Sequence, residues 1–247
     1  MFADSAVTVF YDLVGVFLLK ISDLIIEYSD GTRAVDTVSF SVGAGENVAL
    51  IGANGAGKTS LLLALVGVLM PIGGEIYAGD IMLGKKNLRE IRSQVGMVFQ
   101  NPDDQLFMTS IFDDIAFGPR SYGLDEVETA KRVNSALSKL KIEHLAERSP
   151  LKLSGGEKRL AAIATVLAMD PDFLLLDEPN AFLDPRARRN LTAILTELPQ
   201  GKLIATHDLA FVEKQCSRVL LLQDGKLVAD GDTKLLLDTE KLEAAGL

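Results

Sequence analysis

The chain of 247 residues has no tryptophan, one cysteine (Cys216) and two histidines (His144 and His207). A single thiol makes no internal disulfide and no cysteine-based metal centre. Cys216 reads as a small buried hydrophobe. Basic residues are also scarce, 25 Lys and Arg against 34 Asp and Glu, for a net charge of −9. That balance disfavours sequence-independent nucleic-acid binding, which needs a basic face. Although 48% of residues are hydrophobic and mean hydropathy is +0.22, no apolar run reaches the length of a membrane span. The expected object is globular, with a heavily buried sheet or an apolar docking surface. No internal repeat or low-complexity linker interrupts it. Residues 1–18 are apolar but carry Asp4 and Asp12 and no Lys or Arg before Lys20, unlike a secretory leader. We expect this extension to be disordered or to precede the true start; a membrane-touching segment is the alternative.

Strands are expected at 19–29, 38–42, 47–51, 95–99, 173–176 and 202–206, each short and rich in Val, Ile, Leu or Phe. Val219 to Leu222 and Lys226 to Ala229 flank Asp224-Gly225, a hairpin turn signal. Gly57 to Met70 is apolar on every side, which predicts a buried helix stopped by Pro71. From Asn101 to about Pro150 charges become frequent and the period turns helical. Val127, Ala130, Val133, Leu137 and Leu140 mark one helix face there. Another helix is expected from Gly155 to Met169. Asp184 and Pro185 open a further one as N-cap and first residue, with a stripe of Ala187, Leu191, Ile194, Leu195 and Leu198. Strands alternating with helices imply an α/β fold with a mostly parallel sheet, and the terminal hairpins add an antiparallel part.

Gly52-Ala53-Asn54-Gly55-Ala56-Gly57-Lys58-Thr59 follows a strand and opens a helix. In that context the pattern is a phosphate-binding loop, whose backbone N–H groups and helix N-terminus wrap a polyphosphate. Lys58 is placed to reach the β- and γ-phosphates, Thr59 to reach Mg²⁺, and Ser60 to face the α-phosphate. Asp177 and Glu178 end a strand of pure apolar residues, where ligands of open α/β sheets sit. Neighbouring strand residues point to opposite sides, so the two acids are expected to divide their work. Asp177 is the metal-holding group and Glu178 the general base for an attacking water.

Leu153-Ser154-Gly155-Gly156-Glu157, ahead of a buried helix, resembles the signature sequence of ABC ATPases. The resemblance runs from about Leu19 to Gly231. It implies a P-loop NTPase core with an antiparallel β subdomain and a helical subdomain inserted at about 101–170, all within one domain, 19–247. Tyr28 resembles the aromatic that stacks on adenine. Gln100 resembles the glutamine that senses γ-phosphate, Mg²⁺ and water. Asp184 resembles the aspartate of the loop that crosses a dimer interface, and His207 the switch histidine at the γ-phosphate. The resemblance further implies a head-to-tail pair of cassettes, with ATP between the phosphate loop of one and Ser154, Gly155 and Gly156 of the other. The second cassette is another copy or a close relative.

Two further stretches, Gln100 to Phe107 and Asp113 to Pro119, resemble the ATPases of energy-coupling-factor and cobalt/nickel importers. This implies integral membrane transport subunits as partners and a peripheral place on the cytoplasmic face of the membrane. The competing expectation is a soluble ABC ATPase acting on nucleic acid or the ribosome. That class uses fused cassettes or long basic or coiled insertions, and none is visible here.

Overall fold

A computed structural model describes residues 18–247. The proposed extension therefore lies outside the described residues, save for Leu18 in the first strand. β1 (Leu18–Glu27) and β2 (Arg33–Gly43) form an antiparallel hairpin. β4 (Gly73–Ala78) and β5 (Ile81–Met82) extend it into a four-stranded antiparallel sheet of order β2-β1-β4-β5. The second sheet has six strands in the order β10-β9-β3-β8-β7-β6. These are β3 (Asn47–Ile51), β6 (Val95–Val98), β7 (Phe173–Asp177), β8 (Gly201–Ala205), β9 (Arg218–Gln223) and β10 (Lys226–Asp232). Five run parallel, and β10 folds back on β9 through Asp224-Gly225.

Alternation along the central strands divides the core into two layers. Val48 and Leu50 of β3, with Phe173 and Leu175 of β7, face the antiparallel sheet. Ala49, Ile51, Leu174 and Leu176 face the other way, toward the helices. α1 (Lys58–Leu65) lies in the first layer, with Leu61, Leu62, Ala64 and Leu65 buried against both sheets. That explains its apolar sequence on every side. It is shorter than the expected 57–70, because the chain leaves the helix at Gly67, whose φ of +64° is a left-handed C-terminal cap.

The second layer is built by α3 (Ile111–Ser121), α4 (Glu126–Leu140), α5 (Gly155–Leu167), α6 (Pro185–Glu197) and α7 (Leu209–Gln215). α2 (Leu88–Gln94) and α8 (Thr239–Ala244) complete the described helices. On α4 the buried face is Thr129, Val133, Ala136, Leu137 and Leu140. Val127 is not on it; it is 82% exposed, because the first turn of α4 overhangs the bundle. Asp184 caps α6 as expected, accepting from the backbone N–H groups of Arg186 and Ala187 at 2.8 and 3.0 Å. Leu191, Ile194, Leu195 and Leu198 of its stripe are buried, whereas Ala187 is only half-buried.

β7 is buried along its whole length, with large side chains on both faces. Leu175→Ala should therefore cost about 2–5 kcal/mol of stability. Denaturant unfolding measures it, and a loss under about 1 kcal/mol would mean that this layer repacks freely.

Candidate functional site

Four loops leave the carboxyl ends of parallel strands on one edge of the large sheet: Gly52–Gly57 after β3, Gln100 after β6, Glu178 after β7, and Thr206–His207 after β8. Parallel register makes them neighbours although the chain separates them widely. They wall an open cleft of about 790 Å³. Its lining includes Tyr28, Asn54, Gly55, Gly57, Lys58, Thr59, Ser60, Gln100, Asp177, Glu178 and His207.

The glycine loop is held from below. Gly57 caps α1 with φ +103°, and a Cβ there would overlap the carbonyl oxygen of Ala34 in β2. Only glycine meets both demands. Gly52 and Ala56 are buried under the loop and shape it without facing the cleft. The Lys58 ammonium folds over the loop and donates to the carbonyls of Gly52 and Ala53 at 2.7 and 2.9 Å. Burial draws its pKa down, while Glu178 and Asp177 push it back up. Ser60 bonds the Tyr28 hydroxyl at 2.8 Å, which fixes the tyrosine ring beside the loop.

Asp177, 2% exposed, accepts from the Thr59 hydroxyl at 2.8 Å, a link across 118 residues. Burial raises its pKa; the Thr59 hydrogen bond, Lys58 and Arg159 oppose that, and Glu178 adds to it. Glu178 has a left-handed backbone, φ +43°, rare for a residue with a Cβ. This turn, not strand alternation alone, sends the second carboxylate away from the first. Its backbone N–H donates to the Ala205 carbonyl at 2.8 Å. One oxygen accepts from the Thr206 hydroxyl at 3.0 Å and the other meets His207 Nδ1 at 2.7 Å. His207 is largely exposed, whereas Thr206 is wholly buried.

Ser154, Gly155, Gly156 and Asp184 are not in this cleft. Ser154 caps α5 in a reciprocal box with Glu157, donating its hydroxyl to that carboxylate at 2.7 Å. With Gly156 and Asp184 it lines a separate cavity of about 620 Å³ between α5 and α6. Among the described residues, its own helical turn and chain neighbours apart, a Cβ on Gly155 would meet no atom within 4 Å. Nothing in the chain's own packing requires a glycine there.

Several groups escaped the sequence reading. Thr206 donates directly to Glu178, and the charge of Arg159 acts on Asp177. Asp208 ties the β8 loop to its surroundings, accepting from Asn180 at 2.7 Å and Arg188 at 2.8 Å. Arg33, Phe182 and Arg188 line the cleft. A hydroxyl and an acid flanking His207 directly after a strand were the only local signs.

A glycine loop at a helix start with a lysine, a threonine, and two buried carboxylates across from it defines the class: a P-loop nucleoside triphosphatase. The ABC transporter family model matches residues 35–181. An energy-coupling factor transporter ATP-binding protein, EcfA, of Carboxydothermus hydrogenoformans is 44% identical over 232 residues, 93% of this chain and 86% of that one. The solved cbiO1 of Clostridium perfringens, part of the ABC transporter complex cbiONQ, superposes with TM-score 0.81 at 36% identity, covering 92% of both chains. An ATP-binding cassette solved as a dimer in a post-hydrolysis state with ADP and Pi gives TM-score 0.78 at 25% identity, over 87% of this chain and 98% of that one. The chain belongs to the ABC transporter family: it has the ABC ATPase fold and is an ATP-binding, ATP-hydrolysing subunit.

Gly57→Ala should push the loop off β2 and weaken ATP binding at least about tenfold, roughly 1.4 kcal/mol. Titration calorimetry checks this; unchanged affinity would show that the cradle tolerates a Cβ.

Proposed function

We propose that the protein is the ATPase subunit of an importer of the energy-coupling-factor or cobalt/nickel type, in which ATP-driven closure of two cassettes is coupled to substrate uptake. The observation that carries the hydrolytic part is the pair of buried carboxylates facing Lys58 and Thr59, one bonded to the threonine and the other to Thr206 and His207. Residues 19–247 act as one cassette, with about 101–170 as its helical part.

The phosphate loop, from Gly52 through Asn54, Gly55, Ala56 and Gly57 to Lys58, Thr59 and Ser60, holds the ATP phosphates, and Tyr28 stacks on the adenine. Lys58 exchanges its loop carbonyls for phosphate oxygens. The Thr59 hydroxyl, the Asp177 carboxylate and the Gln100 amide are the hard oxygen donors that suit Mg²⁺. Among the described residues no cluster of His, Cys, Asp and Glu marks another metal site. Held by Thr59, Asp177 and Gln100, Mg²⁺ would supply charge neutralisation to the phosphates. Glu178 takes the proton of the attacking water at the carboxylate oxygen that His207 leaves as it turns toward the γ-phosphate. Thr206 keeps the other oxygen fixed throughout.

Ser154, Gly155, Gly156 and Asp184 serve the nucleotide of a second cassette, in a homodimer or a heterodimer. Their absence from the lining of the chain's own cleft and the open space at Gly155 support that reading. No helix among the described residues is long and apolar enough to cross a membrane. The membrane subunits are separate chains, and this one sits on their cytoplasmic side. Phe107 and Phe117 support a docking role: 62% and 47% exposed, they form an edge-to-face pair with centroids 5.1 Å apart. Asp114 fixes the loop beneath them, accepting from the N–H groups of Phe107 and Met108 at 2.9 Å. The acidic charge and the exposed apolar surface favour this over a nucleic-acid or ribosome partner.

Glu178→Gln keeps the size of the side chain and loses the base. Turnover should fall by about 10² or more while ATP binding survives. In size-exclusion chromatography the variant should dimerise with ATP and not with ADP. Near-normal hydrolysis would remove Glu178 from catalysis, and dimers indifferent to nucleotide would remove the ATP-driven clamp.

A further inference from the structure

The loop that carries Gln100 and the helix that opens at Ser154 are joined by buried polar contacts that the catalytic reading does not use. Arg159, in the first turns of α5, is 2% exposed. One terminal nitrogen of its guanidinium donates to the Phe99 carbonyl at 2.7 Å, the other to the Gln100 carbonyl at 2.6 Å. Its Nε is buried without a hydrogen-bond partner among the described residues. Burial draws the guanidinium down to about 10, against the pull of Asp177. A buried cation with an orphaned donor is a poor way to fill space; an apolar side chain of similar volume packs at less cost.

Two more side chains make the same connection. Lys158 pairs with Asp103 at 2.6 Å. Gln105 accepts from the Phe99 N–H at 3.2 Å and donates to the Ala162 carbonyl at 2.8 Å and the Thr165 hydroxyl at 2.7 Å. The 99–105 loop is thus tied to α5 over about two turns. On its other side the joined pair meets a cavity of about 410 Å³, lined by Gln100, Gly155, Arg159, Ala181 and Phe182. That cavity, and not a layer of packed side chains, lies between the joined pair and Ala181 and Phe182 of the loop after β7.

We propose that Arg159 is a positioning residue: its fork on the Phe99 and Gln100 carbonyls makes the Gln100 loop and the Ser154 helix move as one body. When Gln100 engages the γ-phosphate and metal of a bound nucleotide, Ser154, Gly155 and Gly156 are carried with it toward the partner cassette. The inference rests on the roles given above to Gln100 and Ser154, and adds the part that links them. Arginine is required because a lysine is a point charge and cannot hold two carbonyls in a fixed fork.

A double-mutant cycle on the full chain tests this. Arg159→Lys should lower kcat about tenfold and leave ATP affinity, by calorimetry, within about twofold. In a Gln100→Ala background, Arg159→Lys should lower kcat no further, because nothing remains to transmit. Gln105→Leu cuts the second tie and should follow the same pattern; it decides the matter if thermal unfolding shows that Arg159→Lys does not fold. If the losses from Arg159→Lys and Gln100→Ala multiply, or if ATP affinity falls as much as kcat, the relay is wrong and the role of Gln100 stands. Normal turnover in Gln100→Ala alone would overturn both.

Discussion

Two carboxylates are kept out of water at the end of β7, within reach of one lysine. Asp177 and Glu178 are both nearly inaccessible, and neither survives there without specific partners. Thr59 holds the first, Thr206 and His207 the second. Those partners come from just past the ends of β3 and β8, the two strands that follow one another on the same side of β7. The six-strand order, the parallel register and the α1 layer all serve to bring these three strand ends together. The strained backbone at Glu178 belongs to the same constraint, since it aims the acid at Thr206 instead of at the core.

The chain nevertheless holds the parts of a site in two separate places. The cleft has the phosphate loop, the acids and His207, while Ser154, Gly155 and Gly156 stand at the head of α5 outside it. Hydrogen bonds from α5 to the 99–105 loop connect the two places mechanically. In the proposed relay, a cassette built this way registers its own nucleotide in the pose of the surface that carries Ser154. The exposed Phe107–Phe117 pair sits on the same helical part, just beyond that loop. On the proposed reading, nucleotide, second cassette and membrane subunit all act on this one body.

The glycine loop and the acidic strand end were legible in the sequence because each is a local pattern in which neighbouring residues create the geometry. β3 was bounded correctly for the same reason: an asparagine and four apolar residues running into the glycine loop. β4, β5 and α2 were not foreseen. β4 is short, begins with two glycines and has a half-exposed pattern, and β5 is only two residues long. Val127 fits a helical period yet lies outside the buried face, because period identifies a stripe and not where the bundle ends. Thr206 and Arg159 carry no motif, and the stretch that contains Gln105 does not reveal what that side chain touches. Their roles come from tertiary contacts spanning 28 to 60 residues, which no window along the chain contains.

The central claim is that each ATP is hydrolysed between two chains. Mixing a Ser154→Arg subunit with a Lys58→Ala subunit tests it most directly. In their heterodimer one composite site carries both lesions and the other carries neither. ATPase activity should return on mixing, although each variant alone is inactive. A verified heterodimer that stays as inactive as its parents would contradict a site shared between subunits.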